Sequence, residues 1–463
     1  MRINARRGMA DAGAARDDQP GHRGRGASRG RGGRSGHATH GGMGTRHAQT
    51  PALRFVSWNV LGDTNLRDNS YLYSSCQPQA LPWPRRLPSI LDTIGRLDSD
   101  VVALQEVEHF DRDLAEPLKR NCALDGLYKQ RTGGQEDGVA LLWRSSRLSL
   151  LHVEPIEYAH ALTHGVTDAN EDALLRKHNV GLVGVFLDLL AQREIVIATT
   201  HLLFNPKRGI VKLRQLQHLL KRVDVLRKVS SFDSAGSSAA APTAPTTPQL
   251  AAASSSSRGC VLLGDFNMTP SSLLHAFVRG VRVYAPKATE GEWDGHEAEA
   301  RGGKGKGRPQ RNASRTRTHS GGDQWTASPP PWSAPMDASS SAPIHDTPPS
   351  HQDSHIDATH PLAGELLSAY GHSRCEPEAT TFHKRFLGTV DFIWYTAQHL
   401  AVRTVLPTPS RRELGARRSL PDHMTPSDHV PIACDLEWRR GTTSTMPPPP
   451  RESPRARDPV AVQ

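Results

Sequence analysis

Eight short apolar runs, at 53–58, 101–107, 138–143, 180–187, 194–200, 260–264, 390–395 and 430–436, constrain the fold of this chain more than any other feature. Each has the length of a strand and is too short for a buried helix, so each reads as a strand covered on both faces. Between them, two stretches keep helical spacing. Leu87, Ile90, Leu91, Ile94 and Leu97 form one apolar stripe, and Leu213, Leu216, Leu220, Val223 and Leu226 form another. Pro88 fits the first helix only if it lies in its first turn. Strands alternating with amphipathic helices predict an α/β fold in four layers, two packed β-sheets sandwiched between outer helices.

Four segments cannot belong to that core. The stretch 229–257 is built from Ser, Ala, Thr and Pro, and 287–361 is rich in Gly, Pro, Ser and His; both lack hydrophobic periodicity and are predicted to be disordered insertions. The ends, 1–50 and 439–463, are predicted to be disordered tails. What remains is a single domain over 51–438, interrupted twice. The net charge of +10 lies in the tails: residues 1–50 hold ten Arg, no Lys and three Asp, and 439–463 hold five Arg against Glu452 and Asp458. Arg alternating with Gly at 22–36 suits RNA, through phosphate neutralisation and stacking on bases. A solvated tail is the plainer reading. The same Arg content would suit a mitochondrial transit peptide, against which Asp11, Asp17 and Asp18 argue.

No stretch approaches the roughly 18 uninterrupted apolar residues of a membrane helix, and no secretory signal opens the chain, so no membrane partner is expected. The five cysteines, Cys76, Cys122, Cys260, Cys375 and Cys434, are odd in number and widely spaced, which predicts reduced thiols in an intracellular protein of the cytoplasm or nucleus, with a mitochondrial address left open.

Polar residues recur where the apolar runs stop. Asn59 follows RFVSW, Glu106 sits in LQEVE, His201 in ATTHLL, Asp265 and Asn267 in LLGDFN, Asp391 in TVDFIW, and Asp428 with His429 in PSDHVPI. Taken singly, each has an ordinary explanation as a solvated loop residue, a hydrogen-bonded histidine or an Asx turn. Strand ends, however, gather side chains into one crevice. Carboxylates, amides and two histidines in one crevice suit metal-assisted attack of water on a phosphate ester. Hard carboxylate oxygens favour Mg2+, and an Asp-held histidine can orient or deprotonate water.

The ordered set Asn59, LQEVE, THL, GDFN, VDFIW and SDH resembles the endonuclease/exonuclease/phosphatase superfamily. DNSYLYSSCQPQALPWPRRLPSIL (68–91) and THLLFNPKRGIVKLRQLQ (200–217) are similar to the branch holding nocturnin, the carbon-catabolite-repressor deadenylases and the Angel proteins. The DNS-LY opening, NVGLV (179–183) and NPKRGIVKL (205–213) resemble Angel proteins most. Trp58 stands before Asn59 where the family often has Tyr. The resemblance implies Glu106 as principal metal ligand helped by Asn59, and Asp428 serving a second ion if two are used, with Mn2+ able to replace Mg2+. It also implies Asp265 and Asn267 positioning or activating the nucleophile, Asp391 holding His429, and His201 stabilising the transition state. Asn205, Lys207 and Arg208 are candidates for the substrate backbone, against a basic turn leading into the next helix. Phe382 is a candidate for base stacking, against core packing.

The activity implied is a Mg2+-dependent phosphoesterase at RNA 3′ ends. Angel resemblance implies 2′,3′-cyclic phosphate hydrolysis, whereas the wider branch implies a 3′-to-5′ exonuclease or poly(A) deadenylase. The absence of a leucine-rich-repeat region ahead of the domain points away from a scaffold-tethered deadenylase. Phosphoinositide or sphingomyelin hydrolysis fits the flanking motifs poorly. A non-enzymatic RNA-binding protein is the alternative of a different class; intact carboxylates clustered against their mutual repulsion oppose it.

Overall fold

The computed structural model of the protein describes residues 52–228, 257–286, 293, 355–371 and 376–439. In chain order its strands are β1 Leu53–Asn59, β2 Val101–Val107, β3 Leu124–Gln130, β4 Gly138–Arg144, β5 Leu148–Glu157, β6 Val180–Asp188, β7 Arg193–His201, β8 Gly259–Asp265, β9 Val283–Pro286, β10 His355–Ala358, β11 Leu366–Ser368, β12 Thr381–His383, β13 Phe386–Gly388, β14 Asp391–Thr396, β15 Leu400–Val405 and β16 Ile432–Trp438. Two six-stranded sheets run β15-β16-β1-β2-β4-β3 and β11-β14-β8-β7-β6-β5, and the pairs β9–β10 and β12–β13 stand outside them. Both large sheets are mixed: β1 runs parallel to β2, and β7 parallel to β8, among antiparallel neighbours.

Strand periodicity builds the layers. Phe55, Val101, Ala103, Leu182, Ile195, Ile197, Val261 and Leu263 fill the space between the sheets. Their neighbours along the strands point outward. On one side Val56, Trp58, Val102 and Leu104 meet Ile90 and Ile94 of the helix Trp83–Leu97. On the other, Val196, Ala198, Cys260 and Leu262 meet Leu213, Leu216, Leu220 and Val223 of the helix Gly209–Lys228. The four layers are therefore those the sequence predicts. Gly264 lets the parallel pair β7 and β8 approach closely, because a Cβ there would lie 2.2 Å from the Thr200 carbonyl oxygen.

Pro88 departs from expectation. The helix begins at Trp83, with Pro84 in its first turn, so Pro88 lies inside it. Pro88 is on the exposed side, as is Pro84, whose carbonyl loses its amide partner and is left to water rather than buried.

The tails at 1–50 and 440–463 and the segment 229–256 lie outside the described residues. Composition predicts an irregular segment throughout 287–361, and here the structure corrects the reading. His355–Ala358 forms β10 against β9, and its period-2 pattern, Ile356 and Ala358 buried with Asp357 exposed, is hidden by the surrounding low complexity. Trp293 is fully buried in the core cluster beneath the helix Gly209–Lys228. Trp293→Ala is therefore expected to destabilise the protein by about 3–5 kcal/mol, the cost of emptying a large core site. A denaturant melt checks this; an unchanged midpoint would return residue 293 to the dispensable insertion. No helix among the described residues is long and apolar enough to cross a membrane. Cys76, Cys122, Cys260 and Cys434 are free thiols, and Cys375 lies outside the described residues.

Candidate active site

Register brings the site together before any side chain acts. In the second sheet His201 pairs with Asp265 across the parallel strands, and Asp265 pairs with Asp391 across the antiparallel ones, so three polar residues form one row. In the first sheet β1 ends on Asn59 beside the end of β2, and Asp428 and His429 lead into β16, the antiparallel neighbour of β1. The amide of Asn59 joins the sheets: Nδ2 donates to Glu106 Oε1 at 2.9 Å and to Asp265 Oδ2 at 3.1 Å.

Glu106 is aimed by irregular backbone. Its φ is +53° and the β2–β4 register slips between Gln105 and Val107, a bulge that turns this side chain out of the ladder. The Gly62 amide then donates to its Oε2 at 3.1 Å. Asn267 is also left-handed, with φ +48°. Its amide N–H donates to Asp265 Oδ1 at 2.9 Å, and its own Nδ2 donates to the Leu202 carbonyl. Fully buried Lys212 holds this turn from behind, Nζ donating to the Asn267 carbonyl at 2.7 Å.

The two histidines differ. His429 Nδ1 lies 2.8 Å from Asp391 Oδ2, which also accepts from Thr380 Oγ1 at 2.6 Å. Burial works against charge on His429, but Asp391 and Asp428 outweigh it and its pKa lies well above the usual imidazole value. His201 is pushed down to about 4, chiefly by burial; its Nε2 is 3.5 Å from Asp265 Oδ2 and its Nδ1 is buried without a partner. Burial, then Asp391, pushes Asp265 up to about 7. Asp428 is raised by burial and by Glu106, with His429 opposing, and it accepts the Tyr73 hydroxyl at 2.9 Å.

Glu106, Asp265 and Asp428 thus line one cleft with His201, Asn267 and His429. Carboxylates that disfavour one another's charge form an oxygen-donor set suited to a hard divalent cation. Asp265, Asp391 and His429 also bring one atom each within 4.8 Å of the others. Asp391 and His429 are already bonded to each other, so this trio suits proton handling better than metal binding.

The remaining candidates lie further out. Asn205, Lys207 and Arg208 are exposed and do not line the cleft. Asn205 Oδ1 accepts the Lys207 amide at 2.9 Å, making the turn that leads into the helix Gly209–Lys228, while Phe204 of the same loop lines the cleft and is 50% exposed. Phe382 packs against Leu414, Leu420 and Val430, and its amide donates to the Asp428 carbonyl. Its neighbours Thr381, His383 and Phe386 line the cleft. Asn69, Leu72 and Tyr73 of the DNSYLY stretch and Asn179 of NVGLV line it too. Reading strand ends alone misses these four, although both motifs carry the family resemblance.

Residues 56–429 match the Endonuclease/Exonuclease/phosphatase family. Protein angel homolog 2 of Danio rerio is 28% identical over 410 residues, which cover 81% of this chain; the chain spans 63% of that relative's length. Carbon catabolite repressor protein 4 homolog 5 of Arabidopsis thaliana is 28% identical over 83% of this chain and 77% of its own. The crystal structure of ANGEL2, a 2′,3′-cyclic phosphatase, in complex with adenosine-2′,3′-vanadate superimposes with a TM-score of 0.59 at 28% identity, covering 83% of this chain and 95% of that one. With the polar row at the strand ends and a family match running from β1 to His429, the chain belongs to the endonuclease/exonuclease/phosphatase family of phosphoester hydrolases.

Proposed function

We propose that this chain is a divalent-cation-dependent phosphoesterase acting on RNA 3′ ends, with the 2′,3′-cyclic phosphate as its preferred terminus. The observation that carries this reading is the row His201, Asp265 and Asp391, completed by His429 and faced by Glu106, in a chain similar over most of its length to a 2′,3′-cyclic phosphatase. One catalytic domain spans 51–438 between the two tails.

Glu106 and Asp428 would hold Mg2+, with Asn59 steering Glu106, and the bound ion would supply positive charge to the phosphate oxygens. The chain's own residues handle water and protons. The Asn267 amide on Oδ1 leaves Asp265 Oδ2 turned toward His201 and His429, where it can accept a proton from the attacking water. Burial keeps His201 a neutral donor for the charge that grows on the phosphorus oxygens. Asp391 fixes His429 with Nε2 toward the reaction, ready to protonate the ribose oxygen as its bond to phosphorus breaks.

Three otherwise identical oligoadenylates ending in a 2′,3′-cyclic phosphate, a 3′-phosphate and a 3′-hydroxyl test this, each with Mg2+ and with chelator. Loss of the cyclic phosphate in Mg2+ alone is expected. Shortening of the 3′-hydroxyl oligomer with the cyclic end untouched would make the protein a deadenylase, and cleavage of none would end the reading.

A further inference from the structure

The cleft has three carboxylates on its wall, and Arg131 is the one Lys or Arg among the described residues that lines it. It follows directly on β3, in the loop that returns to β4. Its backbone N–H donates to the Asp137 carbonyl at 2.9 Å, and its Nη1 donates to the Asp137 carboxylate at 3.2 Å and 3.4 Å. The rest of the guanidinium is uncommitted: Nη2 makes no hydrogen bond to a described residue, and Nε is shut from solvent without a partner. Nε and Nη2 form the side edge of the fork, the edge that meets two oxygens of a carboxylate or phosphate in parallel. Arg147 uses that edge on Asp188 in this same chain, at 3.0 Å and 3.1 Å. Arg131 offers the edge to nothing.

The loop is fixed rather than loose. Thr132 Oγ1 lies 2.8 Å from His178 Nδ1, and Gly133, with φ +66°, passes so close to the His178 ring that a Cβ would lie 2.5 Å from it. The next residue, Asn179, donates to the His201 carbonyl at 3.1 Å. The loop bearing Arg131 is thus tied to the strand end bearing His201, and Arg131 lies close enough to His201 to oppose its charge. That places the guanidinium at the reacting end of the cleft, away from the apolar wall of Leu72, Phe386 and Val390.

We propose that Arg131 is a substrate-binding residue that grips the reacting phosphate through its Nε–Nη2 edge while Asp137 holds Nη1. This rests on the phosphoesterase reading above and adds to it a fixed cation from the chain itself. A phosphate between Arg131 and His201 gains charge as water adds, so the contact strengthens toward the transition state and acts on kcat.

The test compares Arg131→Ala, Arg131→Lys and wild type on the oligonucleotide the wild type hydrolyses fastest, with thermal melts of each and guanidinium chloride added at millimolar concentration. Arg131→Ala is expected to lose about 10²-fold in kcat, with the melt close to wild type and activity partly restored by guanidinium. Arg131→Lys should recover only part of the loss, since an ammonium keeps the charge without the fork. Wild-type turnover in Arg131→Ala would overturn the proposal. So would a loss that guanidinium does not restore and a lowered melting temperature accompanies, which would make the Arg131–Asp137 pair a loop anchor only. If the wild type hydrolyses none of the oligonucleotides, the phosphoesterase reading fails first and this one falls with it.

Discussion

Replacing Glu106 with Ala is expected to lower turnover on the best RNA substrate by at least about 10³-fold while leaving the fold intact. The size follows from its position. Glu106 is the carboxylate that β2 turns out of its own ladder, and two neutral donors, Asn59 Nδ2 and the Gly62 amide, hold it with no cation spent on it. A carboxylate oriented by neutral donors, in a cleft shared with Asp265 and Asp428, is left free to meet an added cation. The fold should survive because removing this carboxylate also relieves repulsion, which raises Asp428. Chelator should abolish wild-type activity, and Mg2+ or Mn2+ should restore it. Glu106→Gln separates charge from shape: it keeps the side-chain oxygen for Gly62 and should be nearly as inactive as Glu106→Ala. Near wild-type turnover in either variant, or wild-type activity that chelator leaves unchanged, would sink the mechanism.

What the sequence disclosed and what it hid divide by position in the sheets. All eight apolar runs became strands, with ends within a residue or two of the predicted ones. The strands missed in the two large sheets are β3, β15, β5 and β11, which are the four edges. An interior strand is covered on both faces and reads as an unbroken apolar run, whereas an edge strand is half-solvated and polar. LDGLYKQ and LSLLHVEPIE show this, the second with Pro155 inside it, where an interior strand would not tolerate the lost donor. β10 and Trp293 were hidden differently, since a four-residue strand and a lone tryptophan leave no periodicity inside a long polar segment.

The site divides in the same way. Residues at interior strand ends announce themselves because the polar residue interrupts an apolar run, as Asp265 does after GCVLLG. Arg131 follows an edge strand, and Tyr73 sits in a 3₁₀ turn, so neither has such a contrast to mark it. Lys212 is hidden by its type: on a helix whose exposed face is basic it reads as solvated, and only the fold shows its ammonium buried against the Asn267 carbonyl. FNPKRG illustrates the converse. Its conspicuous charges make a turn, and the residue that reaches the cleft is Phe204.

Asp391→Asn is expected to cost about 10²–10⁴-fold in kcat, close to the loss in His429→Ala, because both remove one function. Asp391 is buried, and its Oδ2 takes both the Thr380 hydroxyl at 2.6 Å and His429 Nδ1 at 2.8 Å. Thr380 must donate there, since a carboxylate only accepts, and His429 must then carry its proton on Nδ1. With Asn at 391, one oxygen cannot serve both donors without turning the amide N–H toward another group in a closed site. If the N–H faces His429, the imidazole has to accept at Nδ1, which puts the wrong tautomer at Nε2. If the oxygen faces it, the negative charge that holds the imidazolium is gone. Either arrangement leaves Nε2, 3.8 Å from Asp265, without the charge it needs. Thr380→Val should be milder, about tenfold, because it removes only a bond that orients Asp391. Single-turnover rates for Asp391→Asn, His429→Ala and the double variant decide the matter. A double variant no slower than His429→Ala confirms one shared function; losses that multiply, or an Asp391→Asn within a few-fold of wild type, would separate the two residues.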